Sequence, residues 1–374
     1  MNSFVSGKYV NQGHYSCFMP ESINREWELN DIEIINLLGQ AERAIGKLDM
    51  FSNFIPNIEL FIRMHVVKEA TQSTKIEGTQ TNFEEALKER EDIPEAKRDD
   101  WDEVQNYIGA LDEAMSLLTS LPVSGRLIKT LHRMLLRGVR GEHKSPGEFR
   151  TSQNWIGGVT IDDAVFVPPT HTSVSEFMGD MEKFAHNDSI KLPDLIKIAI
   201  IHYQFETIHP FLDGNGRIGR ILIPIYMVEK KLLSRPTLYI SDFFERHRKL
   251  YYDNLMRARL DGDLAQWIKF FLVGIAEIAT KGAQTLEKVL NLQKETEQKI
   301  STLRARAHNA SVVVNNLFDR PLTNPAKVAQ ITGLSPASAY SLVNDLVELG
   351  ILQEMTGGKR GKQYVFTDYL RVFN

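Results

Sequence analysis

Residues 195–205 (LIKIAIIHYQF) are apolar on nearly every face, and 217–231 repeat the pattern, which predicts two buried helices with a short polar loop between them. A helical stretch from about 57 to 78 closes at Gly78, a residue suited to the left-handed position just past a helix end. Further on, 154–161 and 164–167 read as two β-like runs joined at Asp162-Asp163, followed by Pro168-Pro169 and a helix from about Ser173. This predicts a hairpin. Downstream, Tyr251 and Tyr252 lie on a helix ahead of the apolar run 267–273, with Tyr251 at a core position. A polar, helix-prone connector over 285–306 leads to a helix at 324–332, a Gly333-Leu334-Ser335 turn and a second helix at 336–349. That is helix-turn-helix spacing, and the runs 352–355 and 363–366 flank a basic segment, 356–362, that reads as a wing. The fold class is mainly α.

Composition adjusts this picture only in part. A chain of 374 residues with 43% apolar content is too long for one typical domain and can bury a sizeable core, so two or three domains are expected. The net charge of −4 argues against general electrostatic binding to nucleic acid, while leaving room for a local basic patch. From Ser301 onward eight Lys and Arg face five Asp and Glu, a mild basic excess. One cysteine, Cys17, excludes an internal disulfide framework and fits a reducing compartment. No run approaches the length of a membrane span, no apolar leader opens the chain, and no Cys/His metal cluster is present. A cytoplasmic protein without a membrane partner is expected. The charged stretch 88–102 reads as a solvated helix end and loop.

The loop between the two buried helices carries the chemistry: His209-Pro210-Phe211-Leu212-Asp213-Gly214-Asn215-Gly216-Arg217-Ile218-Gly219-Arg220. Gly214, Asn215 and Gly216 can take positive φ and turn successive N–H groups inward as an anion nest at a helix N-terminus. Arg217 and Arg220, three apart, offer guanidinium forks on one helix face, and Asp213 is a hard oxygen ligand suited to Mg²⁺. His209, at the loop entrance, can take a proton from an incoming hydroxyl. Taken singly, each residue would be an ordinary turn or loop residue. Together they fill every position of His-x-Phe-x-Asp/Glu-Gly-Asn-Gly-Arg-x-x-Arg, and a chance match to eight specified positions is roughly rarer than one in a million. There is no Walker A sequence, kinase-type Gly-rich loop or Gly-x-Ser-x-Gly elbow.

On this motif the chain resembles the Fic family, whose members typically transfer AMP from ATP to a hydroxyl side chain of a target protein. The resemblance implies that His209 is the general base, Asp213 the Mg²⁺ ligand and Gly214, Asn215 and Gly216 the phosphate cradle. Arg217 and Arg220 would hold the outer phosphates, and Phe211 would anchor the loop. The upstream sequence Ser73-Thr74-Lys75-Ile76-Glu77-Gly78 is similar to the inhibitory helix of Fic proteins that carry their own inhibitor. On that similarity Glu77 reaches Arg220 and removes the group expected to hold the γ-phosphate, with Ser73 on the same helix face. The expected hairpin resembles the Fic flap, whose edge at Ala164, Val165, Phe166 and Val167 would dock a target segment by strand addition. Tyr252 resembles a residue lining the adenosine pocket; seven residues on, where relatives often have Asn, this chain has Arg259.

Residues 307–374 resemble a winged helix, which would contact DNA through 337–344 and the wing, or dock a protein or a second copy of the chain as a homodimer. The expected organisation is an N-terminal helical region over 1–109 with its inhibitory helix, a Fic-like core with a β-hairpin flap over 110–282, the connector 283–306 and the winged helix. The expected activity is Mg²⁺-dependent transfer of AMP from ATP to protein hydroxyls, Ser, Thr or Tyr, its own included, restrained by Glu77. Three alternatives stand beside it: a related transferase with another donor such as CDP-choline or a moved γ-phosphate, a nucleotide-sensing transcriptional regulator, and removal of AMP from a modified target. Every residue assigned to chemistry lies between Glu77 and Tyr252, which predicts a tail dispensable for transfer.

Overall fold

The computed structural model describes residues 4–54, 58–355 and 361–373. The described chain opens with a β-hairpin, β1 (Gly7–Asn11) and β2 (Ser16–Pro20). Helices α1 (Ile32–Phe54), α2 (Ile58–Ile76), α3 (Phe83–Ala86), α4 (Arg98–Leu117), α5 (Gly125–Leu135) and α6 (Val174–His186) follow. Next come α7 (Asp194–Ile208), α8 (Asn215–Glu229), α9 (Ser241–Arg246), α10 (Arg248–Leu260) and α11 (Leu264–Ser301). The tail runs α12 (Ala307–Asp319), β3 (Leu322–Thr323), α13 (Pro325–Thr332), α14 (Pro336–Glu348), β4 (Gln353–Glu354), β5 (Tyr364–Val365) and α15 (Thr367–Phe373), with the antiparallel sheet order β3-β5-β4.

α7 and α8 are the two buried helices that the apolar pattern predicts. Residues 195–208 of α7 are all buried, and the one-sided polar face of a surface helix is missing because neighbours cover it all round. Some polar groups inside this core are paired: Trp267 Nε1 donates to the Ala199 carbonyl at 2.8 Å, and His202 bridges the Gly219 carbonyl and the Tyr251 hydroxyl at 3.0 and 2.9 Å. α1 lies alongside α11, tied at one end by Lys269 to Glu33 and Asp31 and in close contact at Gly282, where a Cβ would meet Leu48 at 3.0 Å. α11 itself runs unbroken across residues 282 and 283, carrying the chain from the core to the tail as one helix. Among the described residues no helix is long and apolar enough to cross a membrane.

α13 and α14 have the expected helix-turn-helix arrangement. Asn324 and Ser335 cap their N-termini by accepting from Lys327 and Ser338 N–H groups, and Gly333 takes the left-handed position between them, φ +70°. Lys359 and Arg360 of the expected wing lie outside the described residues. The hairpin at 154–167 is corrected in its extent. Only Ile156 and Phe166 pair, because Gly157 and Gly158 leave the extended conformation at φ +70° and +75°. Asp163 then closes the turn by accepting from the Val159 and Thr160 N–H groups.

Candidate active site

α7 ends at His209, whose backbone is left-handed at φ +49° while its N–H still bonds the Phe205 carbonyl at 2.9 Å. A non-glycine residue in this region is strained unless its surroundings hold it there. They do so chiefly through Arg150, buried at 2% exposure, which donates to the carbonyls of His209, Pro169 and Ile208 at 3.0, 2.5 and 3.3 Å. Its own N–H bonds the Pro210 carbonyl. One guanidinium thus gathers the carbonyl end of α7 and the end of the flap, and burial with no carboxylate partner brings its pKa down to about 10.

The loop is braced from inside. Asn215 accepts from Phe211 N–H at 2.8 Å and donates to the Phe211 carbonyl at 2.9 Å, so its side chain ties the loop rather than facing a ligand. Phe211 is fully buried and stacks on His132 of α5, ring centroids 3.7 Å apart and planes 7° from parallel. His132 accepts from Gly147 N–H at 2.8 Å through Nδ1, which leaves Nε2 to donate to the Asp213 carbonyl at 2.9 Å. Burial lowers its pKa to about 4, so it keeps the neutral tautomer this bridge requires. The expected nest takes a different form. Gly214 alone is left-handed, φ +75°, while Asn215 and Gly216 already belong to α8. The N–H groups of the first turn of α8 have no intrahelical carbonyl partner, and such a helix end is in general favourable to anions.

Both arginines of the motif are buried, and each meets carboxylates. Arg217 binds Glu103 of α4 at 3.0 Å and Asp213 at 3.2 Å, while Glu103 also holds Arg140 at 2.8 Å. Arg220, 1% exposed, donates to Glu77 Oε1 at 2.6 Å, to Ser73 Oγ at 2.8 Å and to the Ser73 carbonyl at 3.0 Å. Glu77 lies just past the end of α2, where Gly78 turns the chain at φ +104°. Its Oε1 also lies against Gly216, so that a Cβ there would run into it. Burial works against the Glu77 charge, but the Arg220 guanidinium, with Arg217 and His209 beyond it, holds its carboxyl below the usual range.

Desolvation lowers the pKa of the part-buried His209 to about 3, with Arg259 and Arg150 adding to the effect, so the imidazole is neutral. Its Nδ1 lies 4.0 Å from Glu206, a buried carboxyl that desolvation pushes up to about 7 against the pull of Arg220 and Arg259. Asp213, 40% exposed in its side chain, keeps oxygen free for a cation, and among the described residues no cluster of three or more His, Cys, Asp or Glu forms a metal cage. This donor set fits Mg²⁺ held by one carboxylate and the phosphates of a nucleotide.

Tyr252 is 39% exposed and packs against the buried Tyr251, its hydroxyl pKa raised by burial and by Glu77. Arg259 serves the scaffold, donating to Thr207 Oγ1 and the Glu206 carbonyl at 3.1 and 2.9 Å and sitting 4.1 Å over the Phe166 ring. Of the flap residues, Ala164 is half-buried and Val165 exposed, whereas Phe166 and Val167 are buried, and the Val167 carbonyl accepts Phe18 N–H of β2 at 2.9 Å. The chain's own first hairpin therefore occupies one end of the expected docking edge.

His132, Glu103, Arg150 and Glu206 are the site residues that motif reading passes over. Arg150 ends the Gly147-Glu148-Phe149-Arg150 segment, and His132 stands on the buried face of α5 with Leu127, Ile128 and Leu131, a polar residue at a core position. That is the signal that could have found it.

Comparison with known proteins bears on the family and the fold. Residues 35–116 match the model described as Fic/DOC family N-terminal, and residues 122–227 the model described as Fic/DOC family. The chain is 30% identical over 224 residues to a protein adenylyltransferase Fic of Aedes aegypti, covering 58% of this chain and 40% of that protein. It is 32% identical over 171 residues to one of Culex quinquefasciatus, covering 44% and 31%. It thus spans less than half the length of these relatives. In fold it is similar to a Fic family protein from Desulfovibrio desulfuricans, TM-score 0.58 at 18% identity over 91% of this chain and 98% of that one. A Fic domain containing signaling protein from Bacteroides thetaiotaomicron gives 0.53 at 18% identity over 68% and 96%. With both family models matched in succession, over half of the chain between them, and the motif loop folded between α7 and α8, this protein carries a Fic domain.

Proposed function

We propose that the chain is a protein adenylyltransferase that moves AMP from ATP to a Ser, Thr or Tyr hydroxyl of a target protein or of itself, restrained by Glu77. The observation that carries this reading is the contact of Glu77 and Ser73 with Arg220, on the same loop and helix that bring together a neutral, part-buried imidazole, a part-exposed carboxylate and an open helix N-terminus.

In this reading Gly214, Gly216 and the first turn of α8, with the backbone of Asn215, receive phosphate oxygens, and Arg217 and Arg220 orient the outer phosphates. The hydroxyl oxygen bonds the α-phosphorus as the bond to the α,β-bridging oxygen breaks. The hydroxyl proton passes to His209, and pyrophosphate leaves with the electron pair. Asp213 would hold Mg²⁺, which neutralises charge on the leaving phosphates. Tyr252 walls the nucleoside side of the site. The target segment meets the exposed part of the flap at Val165 and Ala164, since Val167 is already paired to β2. While Glu77 holds Arg220, ATP lacks the fork that sets its γ-phosphate and with it the in-line geometry.

The tail's order of helices and strands and its three-stranded sheet support the winged-helix reading. Lys362 of the wing is neutralised by Glu354 at 2.7 Å, and α14 turns Tyr340 and Val347 outward. These features favour a protein over DNA as its partner. A buried lone thiol, Cys17, suits a reducing, cytoplasmic setting.

Incubation with α-labelled and γ-labelled ATP, followed by intact-mass measurement, tests the activity. A gain of one AMP unit supports it, and a gain of one phosphate overturns it in favour of γ-transfer. His209→Ala should abolish transfer while ATP still binds, and wild-type turnover in that variant would remove His209 from the mechanism.

A further inference from the structure

α2 touches both the catalytic core and the tail, at different points along its length. Glu69, Ser73 and Glu77, four residues apart, look into the catalytic core: Glu69 is buried and binds the Tyr107 hydroxyl of α4 at 3.0 Å and Ser241 of α9 at 2.5 Å through its hydroxyl, one turn before Ser73 meets Arg220. Nearer the start of the helix, Phe61, His65 and Lys68 meet the tail. There Phe373 of α15, 3% exposed, lies 5.9 Å from the Phe61 ring and 5.2 Å from His65, with Phe83 of α3 at 6.3 Å. Lys68 donates its ammonium to the Phe373 carbonyl at 2.6 Å.

Around this aromatic seat polar pairs join the tail to α2 and to the segment that follows α3. Arg63 of α2 faces Asp319 of α12 at 3.6 Å, Arg320 binds Glu89 at 2.9 Å, and the Gln363 side chain donates to Asp92 at 3.2 Å. The helix that leads to Glu77 therefore meets the tail with its earlier turns and the core with its last turns.

We propose that the seat formed by Phe61, His65 and Lys68 of α2 with Phe83 of α3 is a docking site for α15, and that its occupancy sets how firmly Glu77 and Ser73 hold Arg220. The tail then serves the transferase as its regulatory module. A partner that engages α15, or a competing amphipathic helix that presents an aromatic residue to the seat, loosens α2 and frees Arg220. The inference rests on the restraint reading above, and it departs from the sequence-based expectation that transfer stays largely intact without the tail.

The test uses the full chain carrying Phe373→Ala, and separately Lys68→Met, which leaves the tail's own core untouched. Neither residue belongs to the catalytic machinery. Amide hydrogen exchange at residues 70–79 should quicken in both variants while residues 195–229 stay protected. Self-labelling with α-labelled ATP should rise roughly 5- to 10-fold, the scale on which coupled sites act. Combining either change with Glu77→Gly should add nothing, because the restraint is already gone. Unchanged exchange at 70–79 in both variants overturns the proposal, as does labelling that stays at wild-type level while Glu77→Gly alone raises it. If neither wild type nor Glu77→Gly transfers AMP, the transferase reading falls, and the exchange data still decide whether the tail holds α2.

Discussion

Arg217 and Arg220 stand one turn apart on α8, both are buried, and both are met by carboxylates, yet their partners differ in kind. Glu103 is 5% exposed in its side chain, comes from the body of α4 and is held from a second direction by Arg140. Glu77 is 35% exposed, lies beyond the last turn of α2 and precedes a glycine in the left-handed region with open space around it. A carboxylate fixed inside a helix with two arginines to satisfy is part of the scaffold. One at a helix end, on a turn, can leave when its helix shifts. In the proposed reading, the same chemical pair builds the site at Arg217 and restrains it at Arg220.

Glu103→Ala should have the largest effect and is the change most able to break this comparison. It leaves the Arg217 guanidinium buried with Asp213 alone and strips Arg140 of one partner, and removing one member of a buried pair costs about 3–5 kcal/mol. Denaturant melts should register that loss, and self-labelling should fall. A rise in labelling would mean that Glu103 is a second restraint. Glu77→Gly should do the opposite. Freed of its carboxylate, Arg220 is available to the nucleotide, and self-labelling should rise on the order of 10²-fold, since a few kcal/mol of bias is enough to keep the competent state in the minority. Labelling unchanged from wild type would leave Arg220 no different from Arg217.

Much of this contrast is legible in the sequence and some is not, for physical reasons. The motif loop is legible because its chemistry is local: glycine, imidazole and guanidinium at fixed spacing need little beyond the loop and the helix behind it. The expectation of positive φ at three residues meets only Gly214, because Asn215 and Gly216 gain more from starting α8 than from leaving it. His209 takes the left-handed place instead, held by Arg150, a contact between residues 59 apart that no local pattern encodes. Glu103 is invisible for a related reason. It is one of several acidic residues in a charged stretch, and only the packing of α4 against α8 brings it to Arg217. The alternation of polar and apolar residues overstates the flap, since it looks like strands while Gly157 and Gly158 end the pairing after Ile156. The expected pairing of Glu77 with Arg220 comes from family resemblance and not from the residues of α2 alone.

Glu206 gives a pH handle on the same pair. Burial raises its carboxyl to about 7, with Glu77 adding to that rise, and Arg220 and Arg259 opposing it. For a carboxyl whose pKa is raised on folding, the unfolded chain ionises first, so stability is fully present below the usual carboxylate range and is lost as pH climbs through about 7. Glu206→Gln removes that loss. In denaturant melts at pH 8–9 the variant should exceed wild type on the order of 2 kcal/mol, converging with it near pH 5. Equal stability at every pH would show that Glu206 is ionised throughout. Repeating the series in Glu77→Gly sharpens the comparison, because without the neighbouring charge the Glu206 pKa should fall and the gap between Gln and Glu should narrow.

The smallest effect belongs to Ser73→Ala. In the restrained state the Ser73 hydroxyl takes the Nε proton of Arg220 at 2.8 Å, while its carbonyl takes one from Nη2 at 3.0 Å. Substitution removes the first contact and keeps the second, leaving one buried N–H unpartnered at a cost of about 1 kcal/mol, or roughly a factor of 5 in the balance between restrained and open states. Self-labelling should rise by that factor and remain well below the level of Glu77→Gly. The double variant distinguishes two ways in which α2 could hold the arginine. If Ser73 and Glu77 release Arg220 together as the helix shifts, Ser73→Ala should add little once Glu77 is gone. A full additional fivefold would mean that Ser73 keeps its hold on Arg220 after the carboxylate has left, so that freeing the arginine takes movement of the last turns of α2 and not of Glu77 alone.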